Sequence, residues 1–370
     1  MRHYTAELTH GARVDDAWTY RGLQAVVIEN ETLRAVLLAD LGANVYSLAH
    51  KPSDTEFLWR SPWGARDPRR HVPSTGDPIG VWVDYYHGGW QTVLPNGGTP
   101  ASYAGADLGQ HAEANLLPWD TVVLEEGPQR ASVCFTVRLA RTPLWIEKTV
   151  SLEAGAAALS VREVVTNVGR QAVDISYGQH IALGPPFLSG DCVVDLPGGT
   201  VRTHPVDYSP NSRFRPGSTS AWPTGVLRDG TEVSMREVPP EGAGYDDQAY
   251  IADMPDGWYA VTNTRLGVGV AVRYPHELYR HLWLWQMFSG GEGYPWWGEA
   301  YTLGLEPFTS ATNQGLEAAL ADGSALRLEA GEQIASGVIV SAFRSKVGVR
   351  DVGPGGAVVT LDNQEVEGRW

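Results

Sequence analysis

The chain has 370 residues, 43% of them apolar and only 19% charged, with 42 glycines and 24 prolines scattered without period. That balance supplies a large core and excludes a disordered, collagenous or coiled-coil chain. The formal charge of −15 opposes phosphate backbones and anionic lipid, so neither nucleic acid nor a membrane surface is an expected partner.

Taken in chain order, Met1 to His10 contains no apolar signal-peptide core, and no run of about 18 apolar residues follows. A cytoplasmic protein is therefore expected. Alternation of apolar and polar positions, with enrichment in Val, Ile, Tyr and Trp, predicts strands over 23–28, 33–38, 44–48, 121–124, 132–139, 145–152, 158–165, 173–182, 257–272, 279–288, 325–328 and 337–343. Turn residues punctuate the gaps, as in Asn167-Val168-Gly169, Pro197-Gly198-Gly199 and Ala321-Asp322-Gly323. Helical periodicity is almost absent, so the fold class is all-β. Cys134 lies in an apolar run and reads as buried and inert, and with Cys192 alone beside it there is no disulfide framework. Two long stretches, 60–105 and 205–247, look irregular. Loops of that length tend to carry function, so they are expected to crowd around a cleft. A single domain over 1–370 is expected, the alternative being a split near 189–220. An exposed strand edge could pair two chains as a homodimer.

Four segments carry residues capable of chemistry. They are Gly109-Gln110-His111-Ala112-Glu113, Tyr177-Gly178-Gln179-His180, Gly244-Tyr245-Asp246-Asp247 and Leu303-Gly304-Leu305-Glu306-Pro307. Glu306 follows an apolar strand and precedes proline. It reads either as a desolvated base at a strand end or as a solvated surface carboxylate. His180 reads as a proton carrier or as a core histidine bonded to a carbonyl. His111 sits in a glycine-bordered loop, as a ligand contact or an ordinary exposed side chain. One of the adjacent pair Asp246 and Asp247 is expected to be surface charge. Fourteen tryptophans suggest stacking on sugar C–H faces, or simply a large β core. The Gly293-Tyr294-Pro295-Trp296-Trp297-Gly298 segment reads equally as a stacking wall or a turn that buries two rings. No dinucleotide fingerprint, phosphate loop or metal-ligand spacing occurs, and His276, Glu277 and His281 read as structural.

The order of these segments resembles the aldose 1-epimerase family. Leu41-Gly42-Ala43-Asn44-Val45 is similar to the family's glycine-containing strand, and Glu56-Phe57-Leu58-Trp59 to the strand that follows it. The resemblance spans residues 33–343 and is nearest to a divergent bacterial branch. It implies a galactose mutarotase-like β-sandwich (supersandwich) of large antiparallel sheets with a sugar cleft on one face. It implies Glu306 as general base, His180 as general acid, His111 as a substrate contact and Asp247 as the acid holding sugar hydroxyls. Asn96, Gln110, Tyr177, Trp296 and Trp297 complete the expected substrate-binding set. The implied reaction opens and recloses a free monosaccharide or sugar derivative by acid–base chemistry, and needs no metal, nicotinamide or flavin. Two departures bear on the substrate. Leu94-Pro95-Asn96-Gly97-Gly98 lacks the family's arginine, and Ile181-Ala182-Leu183 follows His180 in place of a Pro-aromatic pair. The rival readings are a non-catalytic carbohydrate-binding protein on the same fold and a carbohydrate lyase or hydrolase, although hydrolysis normally wants two carboxylates flanking the bond. Glu306 and His180 are expected to converge across one pocket, a monosaccharide's width apart.

Overall fold

The computed structural model describes residues 11–362 and 365–366. Two large antiparallel sheets dominate them. The first, of 12 strands among the described residues, runs in the order Arg13–Tyr20, Leu23–Glu29, Leu33–Leu38, Asn44–His50, Trp90–Val93, Gly178–Leu183, Tyr301–Phe308, His281–Phe288, Tyr245–Ala252, Thr200–Thr203 and Thr219–Ala221, with Thr55–Glu56 beside Asn44–His50. The second, of 8 strands, runs Cys192–Asp195, Trp258–Asn263, Val268–Arg273, Gln333–Phe343, Ala158–Asn167, Leu144–Glu153, Arg130–Arg138 and Asp120–Glu126. Among the described residues no helix is long and apolar enough to cross a membrane.

The core lies between the sheets. Strand geometry sends alternate side chains to opposite faces. In the second sheet Val133, Phe135, Ile146, Val150, Val161, Val165, Val338 and Val340 point inward. They meet Ile181, Leu303, Leu305, Leu282, Leu284, Ala249 and Ile251 from the first. The centre of the first sheet is buried on its other face too. Its strands Tyr301–Phe308 and Gly178–Leu183 are buried at every position. That explains their near-continuous apolar sequence, as in His281-Leu-Trp-Leu-Trp-Gln-Met-Phe288. The second layer over this face is aromatic: Trp59, Trp82, Tyr86, Trp285 and Met287 form a cluster joined by Trp63, Tyr208 and Trp296.

The expected strands 173–182 and 257–272 are each broken. Val173–Ile175 pairs in a small separate sheet with Leu326–Leu328, and Gly178–Leu183 joins the first sheet. Trp258–Asn263 and Val268–Arg273 form a hairpin, closed by Gly267 N–H donating to the Asn263 carbonyl at 2.8 Å. The stretch 60–105, expected to be irregular, contains the helix Pro78–Tyr85 and the strand Trp90–Val93. Asp77 caps that helix by accepting from the amides of Ile79 and Gly80, and Pro78 opens it with a preset φ.

Candidate active site

Strand alternation decides which side chains reach the outer face of the first sheet. On Gly178–Leu183 the core side takes Gln179 and Ile181, and the outer side takes His180 and Ala182. On Tyr301–Phe308 the outer side takes Glu306 and Phe308. On His281–Phe288 it takes Trp283, Trp285 and Met287, and on Tyr245–Ala252 it takes Asp246, Gln248 and Tyr250. Registry then aligns them, since Glu306 faces Trp283 across one strand pair and Trp285 faces Gln248 across the next. A small cavity opens there, lined by Trp82, Gln110, His111, His180, Tyr208, Gln248, Trp283, Trp285, Trp296, Glu306 and Asn313.

Glu306 and His180 touch, with Nε2 at 3.4 Å from Oε1. This corrects the expectation of a sugar's width between them: the two strands are direct neighbours, so their outward side chains meet. Glu306 also lies within its strand rather than at the end, because the extended backbone runs on through Pro307 to Phe308. Burial pushes the Glu306 carboxyl well above its ordinary range. Burial pulls the His180 imidazole down to about 4. Both directions favour uncharged partners. The pair is therefore a carboxyl and a neutral imidazole that hold one proton between them.

His111 reaches the same cavity from the loop before Ala114. Its ring stands edge-on to His180 at 5.2 Å between centroids and 4.7 Å from Trp82. The amide of Gly98 donates to its Nδ1 at 3.1 Å, and its own amide donates back to the Gly98 carbonyl at 3.0 Å. An accepting Nδ1 fixes the proton on Nε2, so His111 is a neutral donor. Burial, then the nearby His180, pulls its pKa well down. Gly98 is required for this clasp. Its φ is +91°, and a Cβ there would stand 1.9 Å from the Asn313 carbonyl oxygen.

The structure brings Glu306, His180, His111, Gln110 and Trp296 together and places four other expected site residues elsewhere. Asp247 faces the core side, fully buried, accepting from Ser212 Oγ at 3.0 Å, the Arg213 amide at 2.7 Å and Arg213 Nε at 2.6 Å. Its neighbour Asp246 takes the outer face, with Oδ1 buried and unpartnered among the described residues. Burial, chiefly, with a smaller push from Asp247, raises Asp246 to about 7. Tyr177 points into the core and donates to Glu163 at 2.5 Å. Asn96 is a loop staple: its amide donates to the carbonyls of Thr99 and Gly109 at 2.9 and 2.8 Å, and its oxygen accepts from the Leu316 amide at 2.7 Å. Trp297 turns outward and is 69% exposed, so the expected two-ring wall is Trp296 alone from that segment. Trp296 packs 5.4 Å from Trp285 and 5.8 Å from Trp63.

Sequence reasoning missed Trp82, Tyr208, Gln248, Trp283, Trp285 and Asn313. For Trp283, Trp285 and Gln248 a signal was present, since each sits two positions from another outward side chain on its strand. Tyr208 and Asn313 come from turns and carry no such mark.

A family model described as a domain of unknown function, DUF4432, matches residues 20–341. No curated protein sequence matches the chain. Among solved structures the chain resembles a candidate aldose 1-epimerase from Klebsiella pneumoniae, with a TM-score of 0.70 at 16% identity over 90% of this chain and 84% of that one. It also resembles a galactose mutarotase-like protein from Clostridium acetobutylicum, with a TM-score of 0.61 at 14% identity over 90% and 99%. A galactose mutarotase related enzyme from Lactobacillus acidophilus gives 0.57 at 16% identity over 87% and 98%. Likeness at such low identity speaks for the fold, which is the galactose mutarotase-like sandwich expected from the sequence.

Proposed function

The chain belongs to the DUF4432 family, a domain of unknown function, and from its cleft we propose that it is an aldose 1-epimerase-like isomerase acting on a free monosaccharide or simple sugar derivative. The observation that carries this reading is the buried Glu306–His180 contact at 3.4 Å inside an aromatic cavity. An acid and a base in direct reach of each other, kept uncharged by burial, are what reversible ring opening requires.

Opening a cyclic sugar moves two protons. The ring oxygen must gain one as its bond to the anomeric carbon breaks, and the anomeric hydroxyl must lose one as that carbon becomes a carbonyl. Both oxygens are bonded to the same carbon, so a touching acid–base pair can serve them from one side. In the proton arrangement that burial favours, the Glu306 carboxyl gives its proton to the ring oxygen and His180 Nε2 accepts the hydroxyl proton. These roles are inverse to those implied by the family resemblance. The aldehyde rotates about its bond to the neighbouring carbon, and closure on the other face runs both transfers backwards. The pair thereby regains its single proton and needs no outside base.

The remaining lining assigns itself by chemistry. His111 Nε2–H donates to a substrate oxygen. Gln110, Gln248 and Asn313 hold sugar hydroxyls, and Asp246, rather than Asp247, shares the strand face of Gln248 behind them. The rings of Trp82, Trp285 and Trp296 cover the apolar C–H face of the sugar.

The test is to dissolve pure α-anomers of a panel of aldoses and follow optical rotation with and without protein. The wild-type chain is expected to speed equilibration of at least one sugar. Glu306→Gln is expected to lose roughly 10²–10⁴-fold in kcat while still quenching tryptophan fluorescence on sugar binding. Absence of acceleration on every sugar would end the reading.

A further inference from the structure

Gly304 lies inside the strand Tyr301–Phe308, buried and two positions before Glu306, so it faces the same side of the sheet. Glycine in a strand interior weakens the strand, because it orders a freer backbone and packs nothing. The conformation here does not ask for glycine. The backbone is extended rather than left-handed, and it pairs in regular antiparallel register with Ala182 on one side and Trp285 on the other. The reason lies in front of it. A Cβ at this position would stand 2.5 Å from Glu306 Oε1, closer than real Cβ atoms come to a neighbour.

That oxygen is the one that meets His180 Nε2 at 3.4 Å. Registry explains the fit. Gly178 pairs with Phe308 and Ala182 with Gly304, which sets His180 level with Glu306 in one row across the sheet. Ala182, Gly304 and Trp285 form the next row. The Glu306 carboxyl leans out of its own row and into the gap that Gly304 leaves in the next. Trp285 borders the same gap, its Cβ and Cε3 lying 3.2 and 3.3 Å from the place of the added Cβ. Contacts of that length relax by a few tenths of an ångström. The carboxyl contact does not, so Oε1 would have to leave the position in which it meets His180. As the free end of a flexible side chain it can do so at little cost to the fold. Proton transfer is less forgiving, since a misplacement of about 1 Å can cost about 10²-fold in rate.

We propose that Gly304 is a positioning residue for the catalytic carboxyl: the side chain it lacks is the notch that seats Glu306 Oε1 against His180. The inference rests on the monosaccharide reading above and adds to it what fixes the geometry of the acid–base pair.

Gly304→Ala tests it beside Gly337→Ala, a strand glycine of the second sheet whose added Cβ meets nothing within 4 Å. Gly304→Ala is expected to lose roughly ten- to a hundredfold in kcat, with KM and thermal midpoint near wild type. Gly337→Ala is expected to keep wild-type kcat. In a Glu306→Gln background, where the acid is already gone, adding Gly304→Ala should cost nothing further. Wild-type kcat in Gly304→Ala would overturn the proposal, as would a loss that tracks a lowered midpoint. The same fold-loss in both backgrounds would also overturn it and assign the effect to Trp285. A crystal structure of Gly304→Ala gives a readout free of turnover. The strand is expected in place and the Glu306 carboxyl displaced from His180. A carboxyl still against His180, with Trp285 moved instead, removes the inference. A wild-type chain that accelerates no sugar would condemn the isomerase reading alone, and the Gly304→Ala structure would still decide what seats the carboxyl.

Discussion

Asp246 gives the site a pH signature of its own, because burial lifts its carboxyl to about 7. The folded protein then keeps a proton that the unfolded chain releases near 3.8, the ordinary value of an aspartate. A group whose folded pKa is raised contributes stability that is fully present below the unfolded pKa and is lost as pH rises through the folded one. Asp246→Asn removes that titration. The variant is expected to match the wild type near pH 4 and to exceed it by on the order of a few kcal/mol near pH 8, read from urea midpoints across that range. A constant offset at all pH values would place the cost elsewhere. The choice between Asp246 and Asp247 also marks how far the sequence could be read. With 205–247 taken as irregular, no alternation applied to the pair, and either carboxylate could face the ligand. Once Tyr245–Ala252 is a strand, period two sends Asp246 with Gln248 and Tyr250 to the cleft, and Asp247 with Ala249 and Ile251 to the core. Glu306, His180 and His111 were legible because their order along the chain is a pattern in itself. Their spacing was not, since strand adjacency, which brings two of them to 3.4 Å, leaves no local mark.

The strand Gly178–Leu183 is held by a polar cluster on its core side while it offers His180 on the other. Glu163, buried on the facing sheet, accepts from Tyr177 at 2.5 Å and from Gln179 Nε2 at 2.7 Å, and is also bonded by Thr92. Gln179 in turn accepts from Trp90 Nε1 at 2.7 Å. Lys148 sits 3.3 Å from Glu163 and 4.9 Å from the Trp119 ring centroid, itself buried, so the cluster contains an ion pair with almost no water. Removing one partner of such a pair leaves an uncompensated charge, which costs more than replacing both. Glu163→Ala is expected to lose on the order of 3–5 kcal/mol, measured by urea unfolding. The double variant Glu163→Leu with Lys148→Met should recover most of that loss. Equal destabilisation in both would show that volume, rather than the stranded ammonium, sets the cost. The cluster could not be read from sequence, because Tyr177 and Gln179 run directly into His180, and Tyr177 was expected beside it at the substrate rather than in the core. Of the two broken strands, 257–272 does carry a mark: the polar run Thr262-Asn263-Thr264-Arg265 and then Gly267 separate two apolar arms at the turn Thr264–Gly267. In 173–182 the chain changes partner sheets between Ile175 and Gly178, and nothing in its composition changes there.

Both halves of the chain contribute strands to both sheets, and this sets how the molecule should unfold. Residues before 189 supply Gly178–Leu183 to the first sheet and Arg130–Arg138, Leu144–Glu153 and Ala158–Asn167 to the second. Residues after 220 supply Tyr245–Ala252, His281–Phe288 and Tyr301–Phe308 to the first, and Trp258–Asn263, Val268–Arg273 and Gln333–Phe343 to the second. A split anywhere in 189–220 would divide each sheet and leave apolar faces from one continuous core, which runs from Ala12 to Ala342, open to water. Exposing a shared core in two stages costs nearly as much at the first stage as at the last, so intermediates should not accumulate. The chain is accordingly expected to behave as one cooperative unit, with calorimetric and van't Hoff enthalpies in agreement and a single transition by tryptophan fluorescence and far-ultraviolet circular dichroism alike. The tryptophans of the described residues, spread over both sheets and the cleft, make the comparison sensitive. Two separated transitions, one of them leaving the cleft tryptophans quenched, would mean that the sandwich is divided after all. The cleft would then belong to a unit able to fold without its partner sheet, and the buried Glu163–Lys148 pair between the sheets would have to open before it.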